Sequence, residues 1–296
     1  GDDLIDGGEG SDTLDMSAID ADITIDLAEG AAVSDTTGSD TLVSIENVAT
    51  GAGDDAVVGS GTSNRIATGG GADVIAAAAG DDVIDAGAGS DIIDAGDGDD
   101  IVIAASGDGD DTIDGGEGSD TLDMSAIDTD AVIDLSAGTA QSEETGSDTL
   151  AGIENVIAGS GDDTIVANDA VNDLFGGEGD DVFVFTSSLS AGNGEGSRDR
   201  ILDFDVGDRI DIEDISREFA SQFEDALVEE GIRRFVLLRD SAEFSEPGQL
   251  RIQYEDLDDG SSVTIIEGNL DDDADTEFQI ELVGHHDMAD DQFYHR

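Results

Sequence analysis

The chain has no cysteine, no lysine and no tryptophan, one proline and three histidines in 296 residues. Without cysteine there is no disulfide framework and no thiolate metal site, which leaves an extracellular location open. Aromatic residues make up 4% and much of the 38% hydrophobic fraction is alanine. A single thick globular core is therefore excluded over most of the length, although the chain is long enough for two or three domains. Thin layers of small aliphatic side chains fit better. The ten basic residues, all arginine, face 75 aspartates and glutamates, for a formal net charge of −65. Such a chain repels nucleic acid and anionic membrane surfaces, and without counter-cations it repels itself out of any compact state. Multivalent cations are its natural partners. No apolar run reaches membrane-spanning length, so no membrane insertion is expected, and no N-terminal signal peptide is present. Because Gly1 falls inside a repeat, the natural N-terminus is expected upstream.

Composition alone also suits a disordered acidic tail, but the order of the residues argues against it. The pattern GGxGxDxUx, with U a large aliphatic, occurs as GGEGSDTLD at 7–15 and again at 115–123. Its sixth position recurs every nine residues as Asp73, Asp82, Asp91 and Asp100, with the same spacing between Asp3 and Asp12 and between Asp111 and Asp120. Asp55, Asp163 and Asp181 close further units. The eighth position is Ile5, Leu14, Val57, Ile75, Ile84, Ile93, Val102, Ile113, Leu122 and Ile165, and becomes Phe183 in the last unit. One buried side chain per repeat is the pattern of a solenoid.

A longer period overlies the first. SDTLDMSAID at 11–20 returns unchanged at 119–128 and IENV at 45–48 returns at 153–156, an offset of 108 residues without a gap. The expected domains are a repeat unit over 1–108 with an insertion at 16–50, a duplicated unit over 109–189 with an insertion at 124–158, and a cap over 190–296. In each insertion an apolar alternation (Ile23, Ile25, Leu27; Ile133, Leu135) predicts a strand packed beside the stack. The cap follows a polar Gly/Ser stretch and holds nine of the ten arginines. An amphipathic helix is expected over 216–230, and the remaining pattern reads as strands, two of them joined by the Asp-Asp-Gly turn at 258–260.

Glycines in GGxGxD allow a tight loop to turn its carbonyls inward. Carbonyls together with aspartate carboxylates make an all-oxygen site, which suits Ca²⁺ with its six to eight flexible ligands better than Mg²⁺, and offers nothing to zinc or copper. A lone aspartate after glycine is usually a solvated loop residue; periodicity changes that reading. Carboxylates brought within about 4 Å repel by roughly 4 kcal/mol at an effective dielectric of about 20, so a stack of such pairs closes only around a cation.

These residues resemble the RTX family of calcium-binding proteins. The resemblance implies an all-β fold, a right-handed parallel β-roll with two non-repeat strand insertions, followed here by a mostly β cap with one helix. In that family two nonapeptides make one coil, and calcium sits between the loops of adjacent coils. Asp73 and Asp91 would then serve one edge and Asp82 and Asp100 the other. Several calcium ions are implied, with carboxylates from Asp3, Asp12, Asp55, Asp73, Asp82, Asp91, Asp100, Asp111, Asp120, Asp163 and Asp181. The matching loop glycines are Gly8, Gly10, Gly51, Gly53, Gly69, Gly71, Gly80, Gly87, Gly89, Gly96, Gly98, Gly107, Gly109, Gly116, Gly118, Gly159, Gly161, Gly177 and Gly179. Asn64 and Asn172 replace the aspartate, AAAAG at 76–80 lacks the paired glycines, and Ala104-Ala105 lengthens one loop; those edges are expected to bind weakly or not at all.

Residues 198–216 resemble the C-terminal region of serralysin-type proteases, with Asp199, Ile201, Asp203, Phe204, Gly207, Asp208, Ile210 and Asp211 in a DxIxDFxxGDxID pattern. The end of the chain, ELVGHHDMADDQFYHR, resembles uncleaved signals for the type I secretion machinery. No HExxH or GxSxG motif is present, and His285, His286 and His295 read as surface residues, so no enzyme is expected within this chain. Two functions follow. One is a secreted calcium-folding module of a surface adhesin or a self-associating extracellular protein, with homo-association or cell-surface and polysaccharide contacts. The other is the C-terminal module of a secreted hydrolase or polysaccharide epimerase whose catalytic domain precedes Gly1.

Overall fold

The computed structural model describes residues 1–188, 191, 196–215, 235–238, 243–245, 247–257, 259–271, 275–289 and 292–294. They form two compact units: Gly1–Ala131 with Gly138–Gly159, and Val132–Ala137 with Ser160–Arg296.

In the first unit each nonapeptide makes one short strand centred on its eighth position. Side chains alternate faces along a strand, so the eighth-position aliphatics turn inward together: Ile66, Ile75, Ile84, Ile93, Val102, Ile113 and Leu122 are all buried. Successive strands fall alternately into two parallel sheets. Arg65–Ala67, Val83–Asp85, Ile101–Ile103 and Thr121–Asp123 pair in one, and Val74–Ala78, Ile92–Asp97 and Thr112–Glu117 in the other. A second inward row, two residues beyond the first, is built of Ala77, Ala86, Ala95, Ala104 and Met124. Small side chains here let the two layers approach, which accounts for the alanine content. This is a parallel β-roll.

The insertions do not lie beside the stack. Ile23–Asp26 pairs antiparallel with Ala31–Ser34, which pairs antiparallel with Gly38–Val43. The outer two of these three join the roll in parallel, Gly38–Val43 with Leu4–Asp6 and Ile23–Asp26 with Ala56–Ser60. The expected strand is thus a three-stranded excursion within one sheet. In the second copy Thr139–Ser142 and Gly146–Ala151 repeat it, the latter in parallel with Thr112–Glu117.

In the second unit, the strand Ala131–Asp134 from Val132 onward, Thr164–Val166, Val182–Val184, Arg209–Asp211 and Phe293–Tyr294 follow one another in parallel in one sheet. Asp173–Phe175 pairs with Asp199–Ile201, which pairs with Phe278–Val283. Phe278–Val283, Ser262–Asn269 and Gln249–Asp256 are then antiparallel, and Val236–Leu238 closes the edge. The 249–269 hairpin turns where the Asp-Asp-Gly signal places it, with Gly260 at φ 90° and the Asp259 carboxylate accepting from the Ser261 N–H. Phenylalanine replaces alanine as the core-filling residue, with Phe183, Phe185, Phe204 and Phe278 all buried. The helix expected over 216–230 lies outside the described residues.

Candidate metal centre

Positions six and eight are two residues apart and share a strand face, so the aspartate is carried inward with the aliphatic. Asp73, Asp82, Asp91 and Asp100 are each 1% exposed; Asp55, Asp111, Asp120, Asp163 and Asp181 are also buried. Asp3 is exposed and Asp12 half-buried at the start of the chain. An ionised carboxylate in such a place is costly unless it is hydrogen-bonded and its charge compensated. Hydrogen bonding is supplied by the preceding coil. The Asp55 N–H donates to Asp73 Oδ1 (2.7 Å), Asp73 N–H to Asp91 Oδ1 (2.8 Å) and Asp91 N–H to Asp111 Oδ1 (2.8 Å). On the opposite edge Asn64, Asp82 and Asp100 donate in the same way to Asp82, Asp100 and Asp120. Asp163 donates to Asp181 in the second unit.

In most of these carboxylates only one oxygen is used. Oδ2 of Asp12, Asp55, Asp73, Asp82, Asp91, Asp100, Asp120 and Asp181 is buried and has no hydrogen-bond partner. Three of the five arginines among the described residues ion-pair elsewhere: Arg198 with Glu281, Arg200 with Asp173 and Arg251 with Glu267. Burial pushes the carboxyls of Asp55, Asp82, Asp91, Asp100, Asp120 and Asp181 upward, with neighbouring carboxylates adding to it and the hydrogen bonds they accept opposing. Asp82 and Asp120 are raised to about 6, and Asp91 and Asp181 to about 7.

The loops between strands are lined by backbone. Gly96 and Gly98 have φ of 109° and 144°, and a Cβ on them would stand 2.1 Å from the Ala78 carbonyl oxygen and 2.2 Å from that of Gly80. Carbonyls of one coil thus press on the glycines of the next. Gly8, Gly10, Gly69, Gly71, Gly80, Gly87, Gly107, Gly109, Gly116, Gly118, Gly177 and Gly179 also have positive φ, while Gly51, Gly53, Gly89, Gly159 and Gly161 do not. Gly51 and Gly159 face Ile19 and Ile127 of the insertions instead of a repeat loop.

The ladders extend beyond the expected aspartates. Asp3, Asp12, Asp111 and Asp120 donate their N–H groups to Asp40, Glu46, Asp148 and Glu154. Asn172 and Asp181 donate to Asp199 and Asp208. Each acceptor carried a readable signal, an acid two residues before a buried aliphatic; Asp40 and Asp148 even lie in GSDTL, the same five residues as 10–14. At Asn64 the amide satisfies itself, Oδ1 accepting from the Ser60 N–H and Nδ2 donating to the Glu46 carbonyl. His285 is exposed and stacks on Tyr254, as a surface residue should, whereas His286 is half-buried with its ring against Phe204. His295 lies outside the described residues.

Among the described residues no three carboxylate or imidazole groups converge on one point, so an ion here must draw on backbone carbonyls as well as side chains. The orphaned buried oxygens and the carbonyl-lined loops fit a hard, oxygen-seeking cation. No curated protein matches the chain. The solution structure of the AlgE6R3 subunit from the Azotobacter vinelandii mannuronan C5-epimerase is similar at 20% identity over 70% of this chain and 80% of that chain, with a TM-score of 0.33. The family model for the RTX calcium-binding nonapeptide repeat matches four times, at 1–15, 49–84, 68–102 and 77–109. That for the Peptidase M10 serralysin C terminal matches 111–293, well over half of the sequence, and the chain belongs to this serralysin C-terminal family, with calcium-binding RTX repeats running into it.

Proposed function

We propose that this chain is a calcium-triggered folding and export module in which Asp55, Asp73, Asp82, Asp91, Asp100, Asp111, Asp120, Asp163 and Asp181 hold calcium between neighbouring coils, and Asp3 and Asp12 do so at the first coil. The observation that carries the reading is the row of buried Oδ2 atoms without partners along each edge. Calcium supplies the charge and ligand-hungry oxygen affinity that these carboxylates lack from the protein. The residues do the rest: the ladder hydrogen bonds fix Oδ1 and leave Oδ2 without a partner, and the glycines bring carbonyl oxygens close to the neighbouring coil. The loops at Asn64 and Asn172 bind weakly or not at all.

The calcium-free chain has the opposite pH response from the loaded one. The unfolded aspartate value is 3.8 and the folded values are raised to about 6 for Asp82 and about 7 for Asp91 and Asp181. The folded state therefore binds more protons, and its stability is full below about pH 4 and lost as pH rises through about 6 to 7. With calcium the carboxylates must be ionised, so acid weakens binding. Circular dichroism of EDTA-treated protein should show more β structure at pH 4.5 than at pH 8, and the loaded protein the reverse order of stability; equal β content at both pH values without calcium contradicts the buried carboxylates.

The RTX repeats and the serralysin C-terminal match mark a secreted, calcium-binding protein, and no helix among the described residues is long and apolar enough to cross a membrane. Low cytosolic calcium keeps the chain unfolded and threadable, and external calcium folds it by mass action, which suits the type I secretion machinery. Deleting 287–296 spares every ladder aspartate and the strand Phe278–Val283. In cells expressing a type I exporter, the truncated chain should stay inside while the purified truncation still gains β structure on calcium; undiminished export removes the C-terminal signal from the proposal.

For the whole protein, the 108-residue duplication supports an adhesin or self-associating extracellular component, because modular lengthening suits a rod. The serralysin C-terminal match supports a second reading, a module trailing a secreted hydrolase or polysaccharide epimerase domain. Sequence upstream of Gly1 separates them: tandem β-sandwich repeats favour the first, a catalytic motif the second.

A further inference from the structure

We infer that the inserted strand Gly146–Ala151, which lies outside every matched nonapeptide, supplies a calcium ligand: Asp148 together with Asp111 holds an ion at the end of the first unit's ladder. The inference rests on the reading of the repeat aspartates as ligands and extends it to a residue from the insertion.

Four observations carry it. The strand pairs in the register of the roll, Thr112 with Thr149 and Ile113 with Leu150, as Ile92 pairs with Thr112 and Ile93 with Ile113. The Asp111 N–H donates to Asp148 Oδ1 at 3.0 Å, the same bond that Asp91 makes to Asp111 at 2.8 Å. Asp148 is 3% exposed and its Oδ2 is buried without a partner, as in the repeat aspartates. Gly146 also takes the loop position of a repeat glycine: its φ is 92°, and a Cβ there would stand 2.7 Å from the Gly109 carbonyl oxygen. Backbone oxygen therefore lies beside the carboxylates, as it does between repeat coils.

The charge at this end exceeds that at an ordinary coil edge. Asp108 occupies a third position, whose counterpart Asp97 is exposed. In the loop lengthened by Ala104-Ala105 it turns inward to 3% exposure, held by the N–H groups of Ala105 and Gly109. Both of its oxygens are engaged, so its part is to add negative charge near Asp111 and Asp148. A cation at this point neutralises more charge than one between two repeat aspartates alone.

Native mass spectrometry of the full chain in saturating calcium counts the ions. Asp148→Asn keeps an oxygen for the Asp111 N–H and is expected to carry one ion fewer than the parent. Asp114→Asn, the same charge change at an exposed outward position, is expected to carry the full number. A full complement in Asp148→Asn overturns the inference. The parent protein gives an independent check by anomalous diffraction from calcium-grown crystals, where a peak is expected about 2.3 to 2.6 Å from the Asp148 carboxylate. Peaks between Asp73 and Asp91 with none at Asp148 overturn this inference alone; no peak at either place overturns the ligand reading beneath it.

Discussion

Removing calcium with EDTA should leave this chain expanded and stripped of most β structure, and roughly millimolar calcium should restore it in one cooperative step that equal magnesium does not reproduce. The formal charge of −65 opposes compaction everywhere, and the roll concentrates it, placing a buried carboxylate at nearly every turn of both edges with one oxygen unsatisfied. An unpartnered buried polar group costs on the order of 1–3 kcal/mol and a charged one more, repeated along the stack. The aliphatic row offers little to offset this, since one Ile, Val or Leu and one Ala per repeat bury far less area than a globular core of the same length. Cooperativity follows from nearest-neighbour contacts: each aspartate binds the coil before it, so ordering one edge orders the next. Magnesium, which keeps its waters and demands a tight octahedron, does not suit loops that provide oxygens from two coils. Small-angle scattering should give a radius of gyration near the roughly 60 Å of an unfolded chain of this length in EDTA, and a value well below it in calcium. The same folded dichroism spectrum in EDTA contradicts the account.

How much of this was legible in the sequence differs from residue to residue. The nine-residue register specified which aliphatics point inward and which aspartates share their face, because a two-residue spacing fixes the face of a strand. Asp148 and Asp40 were legible too, through GSDTL, although they stand outside the nine-residue register of the repeat aspartates. Asp199 and Asp208 stand nine residues apart, each two before a buried isoleucine, so the serralysin-type segment is itself a coil of the roll, with Asp173–Phe175 and Val182–Val184 as its neighbours. The place of the insertions was not legible. Alternation at Ile23 and Ile25 says which face is buried but not which strand is the hydrogen-bonding neighbour, and a three-stranded excursion within the sheet satisfies it as well as a strand packed beside the stack. Nor was Asp108, since third positions face solvent unless the loop is lengthened, as it is here by Ala104-Ala105.

The account stands or falls on whether calcium is held by ordered ligands or merely condenses on an acidic polymer, and two aspartates of equal charge separate these. Asp91 is 1% exposed, accepts the Asp73 N–H and has a buried, unpartnered Oδ2. Asp94, three residues on, is exposed on the outer face opposite Asp114. In the proposed arrangement Asp91→Ala removes a ligand shared by two coils and leaves the Asp73 N–H without its acceptor, so calcium affinity and cooperativity should fall together, by tenfold or more for the roughly 1.4 kcal/mol or greater loss expected of a buried charged acceptor. Asp94→Ala removes the same charge but no ligand and should shift stability by no more than about half a kcal/mol. The deciding measurement is a calorimetric calcium titration of the two variants and their parent at matched ionic strength. A large loss of affinity confined to Asp91→Ala is the predicted result, and equal losses in both variants contradict ordered ligation by the roll.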